Sequence, residues 1–325
     1  MKHQLENEKQ KAGQIKTKGI PKGGKKIFIA VMGPTGAGKT SFINLVSGSK
    51  LRIGAGLQST TDRIQLSRPF QLGQDTITLI DTPGFDDTSK SDVDILTLIA
   101  NYLELTFKKK QVLTGVIYLH RITDNRMGGI ALRNWKMFSH LCGRAALANA
   151  AIVLNMWNQV SEVVGNARKT ELVSKDIFFK PAIDAGAKVF THNNTLDSAR
   201  EILRDLAGKD PKPLSIQIEL ITERKPVRQT AAGVALLGDL AEKERKHQEQ
   251  IQELRKGIAE AIRQKDEEDR KDLEEARKRL EDAITRLAAQ QQSLKTARPQ
   301  KNANIKLQQK RRWGCLSCMS AKQLE

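Results

Sequence analysis

Gly33-Pro34-Thr35-Gly36-Ala37-Gly38-Lys39-Thr40 decides how the rest of this 325-residue chain is read. Immediately before it stands Ile27 to Met32 (IFIAVM), a short continuous apolar run that suits a strand buried on both faces of a parallel sheet. A helical segment from Lys39 to about Ser47 follows. Strand, Gly-rich turn, Lys, Thr and helix together satisfy G-x-x-x-x-G-K-[ST] in the context that motif needs. Glycine lets the backbone curl around an anion with successive N–H groups pointing inward. The following helix directs its positive end at the same anion. Gly33, Pro34, Thr35, Gly36, Ala37, Gly38, Lys39, Thr40 and Ser41 are therefore expected to cradle nucleotide phosphates. Lys39 would neutralise the outer phosphates and the Thr40 hydroxyl would ligate Mg²⁺. The bland alternative is a strand–helix turn that binds nothing, and the coincidence of all the parts disfavours it.

Outward from this motif the pattern alternates. Apolar strand runs occur at Ile77–Ile80, Val112–Leu119, Ala151–Leu154 and Lys188–Thr191. Segments of helical period lie between and after them, at Val93–Phe107, Ile130–Ala148, Val160–Phe178 and Leu196–Leu206. Such alternation implies βαβ units and a mostly parallel sheet. The fold class expected is α/β, a three-layer P-loop NTPase fold with a long C-terminal helical extension. Residues 27–208 form the expected nucleotide-binding domain. Prolines at Lys209–Pro213 and at Lys225-Pro226 mark 209–238 as a linker or short helix. Charged helical sequence fills 239–295. There Leu273, Ala276, Leu280, Ala283, Leu287, Gln290 and Leu294 keep an alternating 3-4 spacing. Ile251, Leu254, Ile258 and Ala261 form an earlier seam one residue out of phase, across the polar gap Arg263–Asp272. A coiled coil and a solvated helix leaning on the domain both fit.

The net charge of +18 sits mainly in the tails. Residues 1–26 carry eight Lys against two Glu and lack apolar periodicity, so a disordered basic arm is expected. Residues 296–325 are also strongly basic. Aromatics are only 4% of the chain, and a body near neutrality without stacking residues speaks against a nucleic-acid-binding protein. No apolar run approaches the roughly 18 residues that span a bilayer, and Met1 to Gln10 is too polar for a signal peptide. Three cysteines give no disulfide framework. A cytoplasmic location follows as the expectation.

Asp81-Thr82-Pro83-Gly84 ends the strand Thr76–Ile80. An acidic residue at the end of an adjacent strand holds Mg²⁺ through water, and the Gly84 N–H can meet a γ-phosphate with no Cβ in the way. Together the two motifs resemble those of switch-type P-loop GTPases. The run G-P-T-G-A-G-K-T-S, then Ser59-Thr60-Thr61, then D-T-P-G-F-D-D, is similar to the septin-like branch, with its immunity-associated (AIG-type) GTPases and chloroplast import receptors. Arg121-Ile122-Thr123-Asp124 is similar to the R-F-T-E segment of the immunity-associated proteins, and the fourth motif resembles that of fungal stand-alone G-domain proteins. The resemblance covers about residues 27–208. It implies GTP/GDP and Mg²⁺ as ligands, Thr61 as the switch threonine completing the Mg²⁺ shell, and a homodimer through the G domain or the C-terminal helix. Ser59 and Thr60 stay open as alternatives to Thr61.

The departures from the family pattern matter as much. Where N/T-K-x-D should read guanine stands Asn155-Met156-Trp157-Asn158. Asn155 suits the first position, but Asn158 replaces the carboxylate that accepts from both N1–H and the 2-amino group. Bonds to charged groups contribute about 1.5–3 kcal/mol, so GTP affinity is expected to fall by roughly tenfold to a hundredfold. Met156 and Trp157 offer apolar surface to a base, or Trp157 is core. His192, at the end of the last strand, either meets the base or is structural. Phe85 follows Gly84 and cannot orient water, so hydrolysis is expected to be slow, resting on Lys39, Thr61, the Gly84 amide and Mg²⁺ or on a group supplied in trans. Arg121 and Arg126 are either such groups or surface ion pairs. The tail Gln309–Met319 pairs Lys310–Arg312 and Trp313 with Cys315 and Cys318. It reads as a two-signal membrane tether, a metal or redox C-x-x-C, or an inert tail. The expected function is a GTP-binding switch with slow hydrolysis. The rivals are a hydrolysis-inactive pseudo-GTPase scaffold and an ATPase of the same superfamily.

Overall fold

The computed structural model describes residues 24–52, 63–85, 90–264 and 267–297. Ser59, Thr60, Thr61, Cys315 and Cys318 lie outside the described residues. Among the described residues seven strands form one sheet: β1 (Lys26–Met32), β2 (Gln65–Leu66), β3 (Phe70–Leu72), β4 (Asp75–Asp81), β5 (Gly115–Arg121), β6 (Ala150–Asn155) and β7 (Lys188–Thr191). Their order is β2-β4-β1-β5-β6-β7, with β3 also pairing to β4. β2 and β3 run antiparallel to β4 and every other pairing is parallel. The antiparallel edge was not expected from the sequence. Strands of two and three residues are too short to show a period of two.

Register decides where the chemistry can sit. Val31 pairs with Asp81, Met32 with Tyr118, and Arg121 with Asn155. The carboxyl ends of β4, β1, β5 and β6 therefore emerge side by side, at the edge where open α/β sheets take their ligands.

Among the described residues six helices cover the sheet: α1 (Lys39–Ser47), α2 (Asp92–Lys108), α3 (Gly129–Leu147), α4 (Glu162–Ser174), α5 (Lys180–Asp184) and α6 (Leu196–Ala207). Ile29 and Val31 of β1 pack with Phe42, Ile43 and Leu203 beneath α1 and α6. Ala30 and Met32 join Leu96, Tyr118, Phe138 and Phe179 on the opposite face. Alternate residues of one strand are thus buried on both faces, as the unbroken apolar run required. The fold is a three-layer P-loop NTPase fold. The helix expected over Val160–Phe178 is shorter: Ser161 caps its start by accepting from the Val164 N–H, it ends at Ser174, and a separate helix, α5, opens with Pro181 in its first turn.

The C-terminal helices are α7 (Ala231–Gln264) and α8 (Glu267–Thr296). They lie antiparallel, with Gln291 donating to Glu244 and Arg255 paired with Glu281. The one-residue phase offset between the two apolar seams is accounted for here, since they belong to two helices facing each other. Ile251, Ile258, Ala261, Leu287 and Leu294 are buried within this single chain. α7 also begins earlier than the sequence suggested. Ala232, Leu236 and Leu240 are at most 1% exposed and belong to the same core as α2 and α3. The Glu219 carboxylate accepts from the Ala231 N–H at 2.9 Å and so caps the start of α7. α3 bends at Gly143 (φ 70°), where a Cβ would lie 2.5 Å from the Ser215 side chain.

Candidate nucleotide site

The loop Gly33–Gly38 leaves β1 and enters α1 through three glycines with positive φ: Gly33 at 140°, Gly36 at 75° and Gly38 at 89°. The requirement for glycine at Gly33 and Gly38 is steric as well. A Cβ on Gly33 would stand 2.3 Å from the Leu119 carbonyl oxygen, and one on Gly38 would stand 2.4 Å from Asn155 Nδ2. A Pro34 C=O to Ala37 N–H bond of 3.2 Å tightens the loop. Gly38, at the start of α1, offers no side-chain acceptor, so the positive end of the helix is directed at the loop.

Lys39 is 7% exposed, and its ammonium donates to the carbonyls of Gly33 and Pro34 at 2.8 Å each. The charge is thereby held over the loop that it would serve. Thr40 Oγ1 donates to Asp81 Oδ2 at 2.7 Å, which joins the start of α1 to the end of β4. Asp81 is fully buried, and its Oδ1 has no hydrogen-bond partner among the described residues. Burial raises its pKa above the ordinary carboxylate value, against the Thr40 bond and the nearby Lys39 charge, which lower it. A buried carboxylate with one unsatisfied oxygen costs free energy unless a cation or water meets it. The donor set of hydroxyl and carboxylate is that of a hard divalent cation, so these residues fit Mg²⁺. Among the described residues there is no cluster of three or more His, Cys, Asp or Glu with metal-binding geometry, so this site would lean on phosphate oxygens and water.

The next strand contributes Asn155. It is 6% exposed, its Nδ2 donates to the Ala37 carbonyl at 2.7 Å, and its Oδ1 accepts from the Met156 N–H at 2.8 Å. It is thus a strut between the phosphate loop and the turn that follows β6. Met156 takes a left-handed backbone (φ 60°), and Trp157–Gln159 forms a short 3-10 turn. Trp157 is half-buried over Gly165, where a Cβ would come within 3.0 Å of the indole, and Asn158 is exposed. His192 stands apart from the expected base-facing role. Its ring is 1% exposed, with Nδ1 2.7 Å from Ser198 Oγ and an edge contact to Phe42 at 5.2 Å. Burial lowers its pKa to about 4. Its backbone does reach the site, because its carbonyl accepts from the Trp157 N–H at 3.1 Å.

Asp81, Thr82, Pro83 and Gly84 run in that order along the same edge, and Thr82 Oγ1 anchors to the Val31 carbonyl at 2.9 Å. Phe85 is buried rather than turned to the site, and its N–H donates to Asn134 Oδ1 at 3.0 Å. Neither Asn134 nor its neighbour Arg133, which pairs with Asp92 at 3.4 Å, was among the expected site residues. Consecutive residues of α3 thus hold the chain on either side of residues 86–90. Only proximity in the fold reveals them, since neither lies in a motif. Arg121 pairs with Asp124 at 3.2 Å and lies alongside Gly36, while Arg126 is exposed.

Residues 28–133, about a third of the chain, match the family described as 50S ribosome-binding GTPase. No curated protein sequence matches. Among solved structures, Toc33 from Arabidopsis thaliana in complex with GDP and Mg²⁺ is similar at 17% identity and a TM-score of 0.47, over 58% of this chain and 87% of that one. The cytosolic domain of the T. maritima FeoB iron transporter in apo form is similar at 17% identity and a TM-score of 0.38, over 65% of this chain and 80% of that one. The phosphate loop and the Thr40–Asp81 pair sit where a P-loop NTPase fold carries its nucleotide site, and the family match falls on residues 28–133 that contain both. The septin-like, immunity-associated branch is not singled out by these comparisons. Among the described residues no helix is long and apolar enough to cross a membrane.

Proposed function

We propose that the protein is a guanine-nucleotide switch. It binds GTP with Mg²⁺ and hydrolyses it slowly to GDP and phosphate, and so controls its association with a partner. The observation that carries this reading is the pairing of Thr40 with Asp81, whose second oxygen is buried without a partner among the described residues, one strand from the phosphate loop. Mg²⁺ bound there would offset the charge that develops on the phosphates. Lys39 is to exchange its two carbonyl partners for phosphate oxygens, and the amide of Gly84 is to meet the terminal phosphate. Thr61 is assigned to complete the Mg²⁺ shell. Asn155 holds the loop in shape from the side.

Slow turnover follows from Phe85. The residue that follows Gly84, where a water-orienting side chain would stand in the sequence, is Phe85 with its ring buried, so no water-orienting group is supplied from that position in cis. The same observation favours a second reading, a pseudo-GTPase that keeps nucleotide bound as a structural element while α7 and α8 scaffold. Phosphate release from GTP measured over hours separates the two. Turnover that disappears in Lys39→Ala supports the switch. Bound nucleotide without any release supports the scaffold. A homodimer through the G domain or the C-terminal helix, and attachment to a membrane surface through the basic cysteine tail, belong to the same proposal and are tested by sedimentation and by fractionation after Cys315→Ser and Cys318→Ser.

A further inference from the structure

The edge of the sheet opposite the nucleotide site gathers cations. α2 starts beyond the Asp81–Phe85 segment and runs back to that edge, where the chain leaves it through three exposed residues, Lys108, Lys109 and Lys110. Lys212 lies alongside, its N–H donating to the Leu113 carbonyl at 3.1 Å. Gln217 Nε2 donates to the Leu103 carbonyl at 3.1 Å, which holds the π-helical turn Ile218–Thr222 against α2 and places Arg224 just after it. The described chain also begins and ends on this side. Lys26 opens β1, next to the Thr114 N–H that donates to Phe28, and the Lys295 carbonyl accepts from Arg228 at 2.8 Å. The basic stretches before residue 24 and after residue 297 are therefore joined to the fold here.

Two of these cations stand where the backbone asks for glycine. Lys110 (φ 58°) follows the last turn of α2. Its N–H donates to the Phe107 carbonyl at 2.8 Å, and the Gln111 N–H donates to the Thr106 carbonyl at 3.0 Å. In that paired closure the left-handed residue is ordinarily glycine. Arg224 (φ 54°) ends the π-helical turn in the same backbone conformation, between Glu223, bonded to the Ile218 carbonyl, and Lys225, bonded to that of Glu219. A side chain there strains the backbone. Among the described residues the other two non-glycine residues with positive φ are Met156 and Asn194, in the turns after β6 and β7 at the nucleotide edge. Such strain gathers where a site needs it. The helix dipole favours cations in the last turn of α2, and Lys108 and Lys109 already supply them. Glu104 pairs with Lys108 and Glu223 with Lys225. Lys110, Lys212 and Arg224 are exposed and outside any ion pair among the described residues.

We propose that this edge docks on a membrane that carries acidic phospholipids, with the nucleotide site held on the side away from the bilayer. A flat anionic surface meets the edge and both basic stretches at once. The sequence after residue 297 adds Trp313, a side chain suited to the interface. Nucleic acid is the other large polyanion, but among the described residues no Phe, Tyr or Trp side chain is exposed to stack on a base. The inference rests on the reading that the protein attaches to a membrane surface. It moves the contact onto the folded body, where no lipid on cysteine is needed.

The purified full chain is sedimented with vesicles of phosphatidylcholine alone and of phosphatidylcholine with phosphatidylserine. Binding is expected only to the second, and it weakens as salt rises. Lys110→Gly with Arg224→Gly removes two cations and relieves both strained positions. This double variant should bind acidic vesicles about 30-fold more weakly, about fivefold for each charge. Its thermal midpoint should rise by a few degrees. Lys278→Gln with Arg279→Gln removes as much charge from the middle of α8 and should change binding by about twofold or less. Equal losses in the two double variants would place the effect in net charge and overturn the inference. A midpoint that falls in the glycine variant overturns it too, because the cations would then serve the fold. So does binding to a nucleic-acid duplex by a chain that leaves acidic vesicles unbound. Cys315→Ser with Cys318→Ser leaves vesicle binding unchanged, since no lipid is attached in this assay. Fractionation after that substitution tests the tail by itself, so failure of the tail reading and failure of this edge are told apart.

Discussion

Removal of the Asn155 side chain separates the phosphate loop from the turn after β6, and its cost can be worked from the two bonds it makes. Asn155→Ala leaves the Ala37 carbonyl and the Met156 N–H without partners in a region where Asn155 itself was buried. Each unsatisfied buried group costs about 1–3 kcal/mol, so a stability loss of roughly 2–6 kcal/mol is expected. The share at Ala37 acts inside the phosphate loop, which nucleotide binding must then reorder. At about 1–3 kcal/mol that share weakens triphosphate affinity by roughly fivefold to 150-fold. Asn155→Asp keeps the acceptor for Met156 but sets a carboxylate oxygen against the Ala37 carbonyl and near the phosphates, so it should bind more weakly than the alanine variant. Urea unfolding gives the first quantity and calorimetric titration the second. An Asn155→Ala protein that unfolds and binds as the unmodified chain does would refute the strut.

Three further outcomes are expected. Gly33→Ala drives a Cβ to 2.3 Å from the Leu119 carbonyl at a φ of 140°, a clash with backbone that cannot move aside; it should cost several kcal/mol or prevent folding, read from soluble yield and thermal midpoint. Burial holds the His120 pKa down at about 4, below its unfolded value, so the unfolded state binds more protons between the two. Stability is then complete above about pH 6.5 and is lost as pH falls towards 4, by roughly 3 kcal/mol for this ring. His120→Gln should flatten that slope in urea midpoints compared at pH 7 and 4.5, and His192 contributes with the same sign. Glu219→Ala removes the acceptor for the Ala231 N–H and should cost about 1 kcal/mol, read as faster amide exchange in the first turn of α7.

The parts of this molecule that sequence shows are those made by neighbours in the chain. The phosphate loop is one turn, so its glycines, Lys39 and Thr40 are legible together, and Asp81–Gly84 is legible because a strand end and a tight turn are both local. The buried strands are legible because unbroken apolar runs such as IFIAVM leave no polar face. Asn158 is legible as a departure from the resembled motif, since it differs from a carboxylate by chemistry alone. What stayed hidden depends on contacts between distant segments. Asn134 holds the Phe85 N–H across 49 residues, and Glu219 caps α7 from a segment that composition marked as linker. The reversal between α7 and α8 showed only as a phase offset, because period reports which face is apolar and not what covers it. His192 ends a strand where a ligand contact was plausible, yet the alternation along β7 turns its ring onto Phe42.

One titration tests the central claim most directly: Mg²⁺–GTP into the full chain beside the Lys39→Ala variant. Micromolar or tighter binding that Lys39→Ala abolishes is the predicted result. Binding that survives loss of the Lys39 ammonium, or no binding by the unmodified chain, would contradict it.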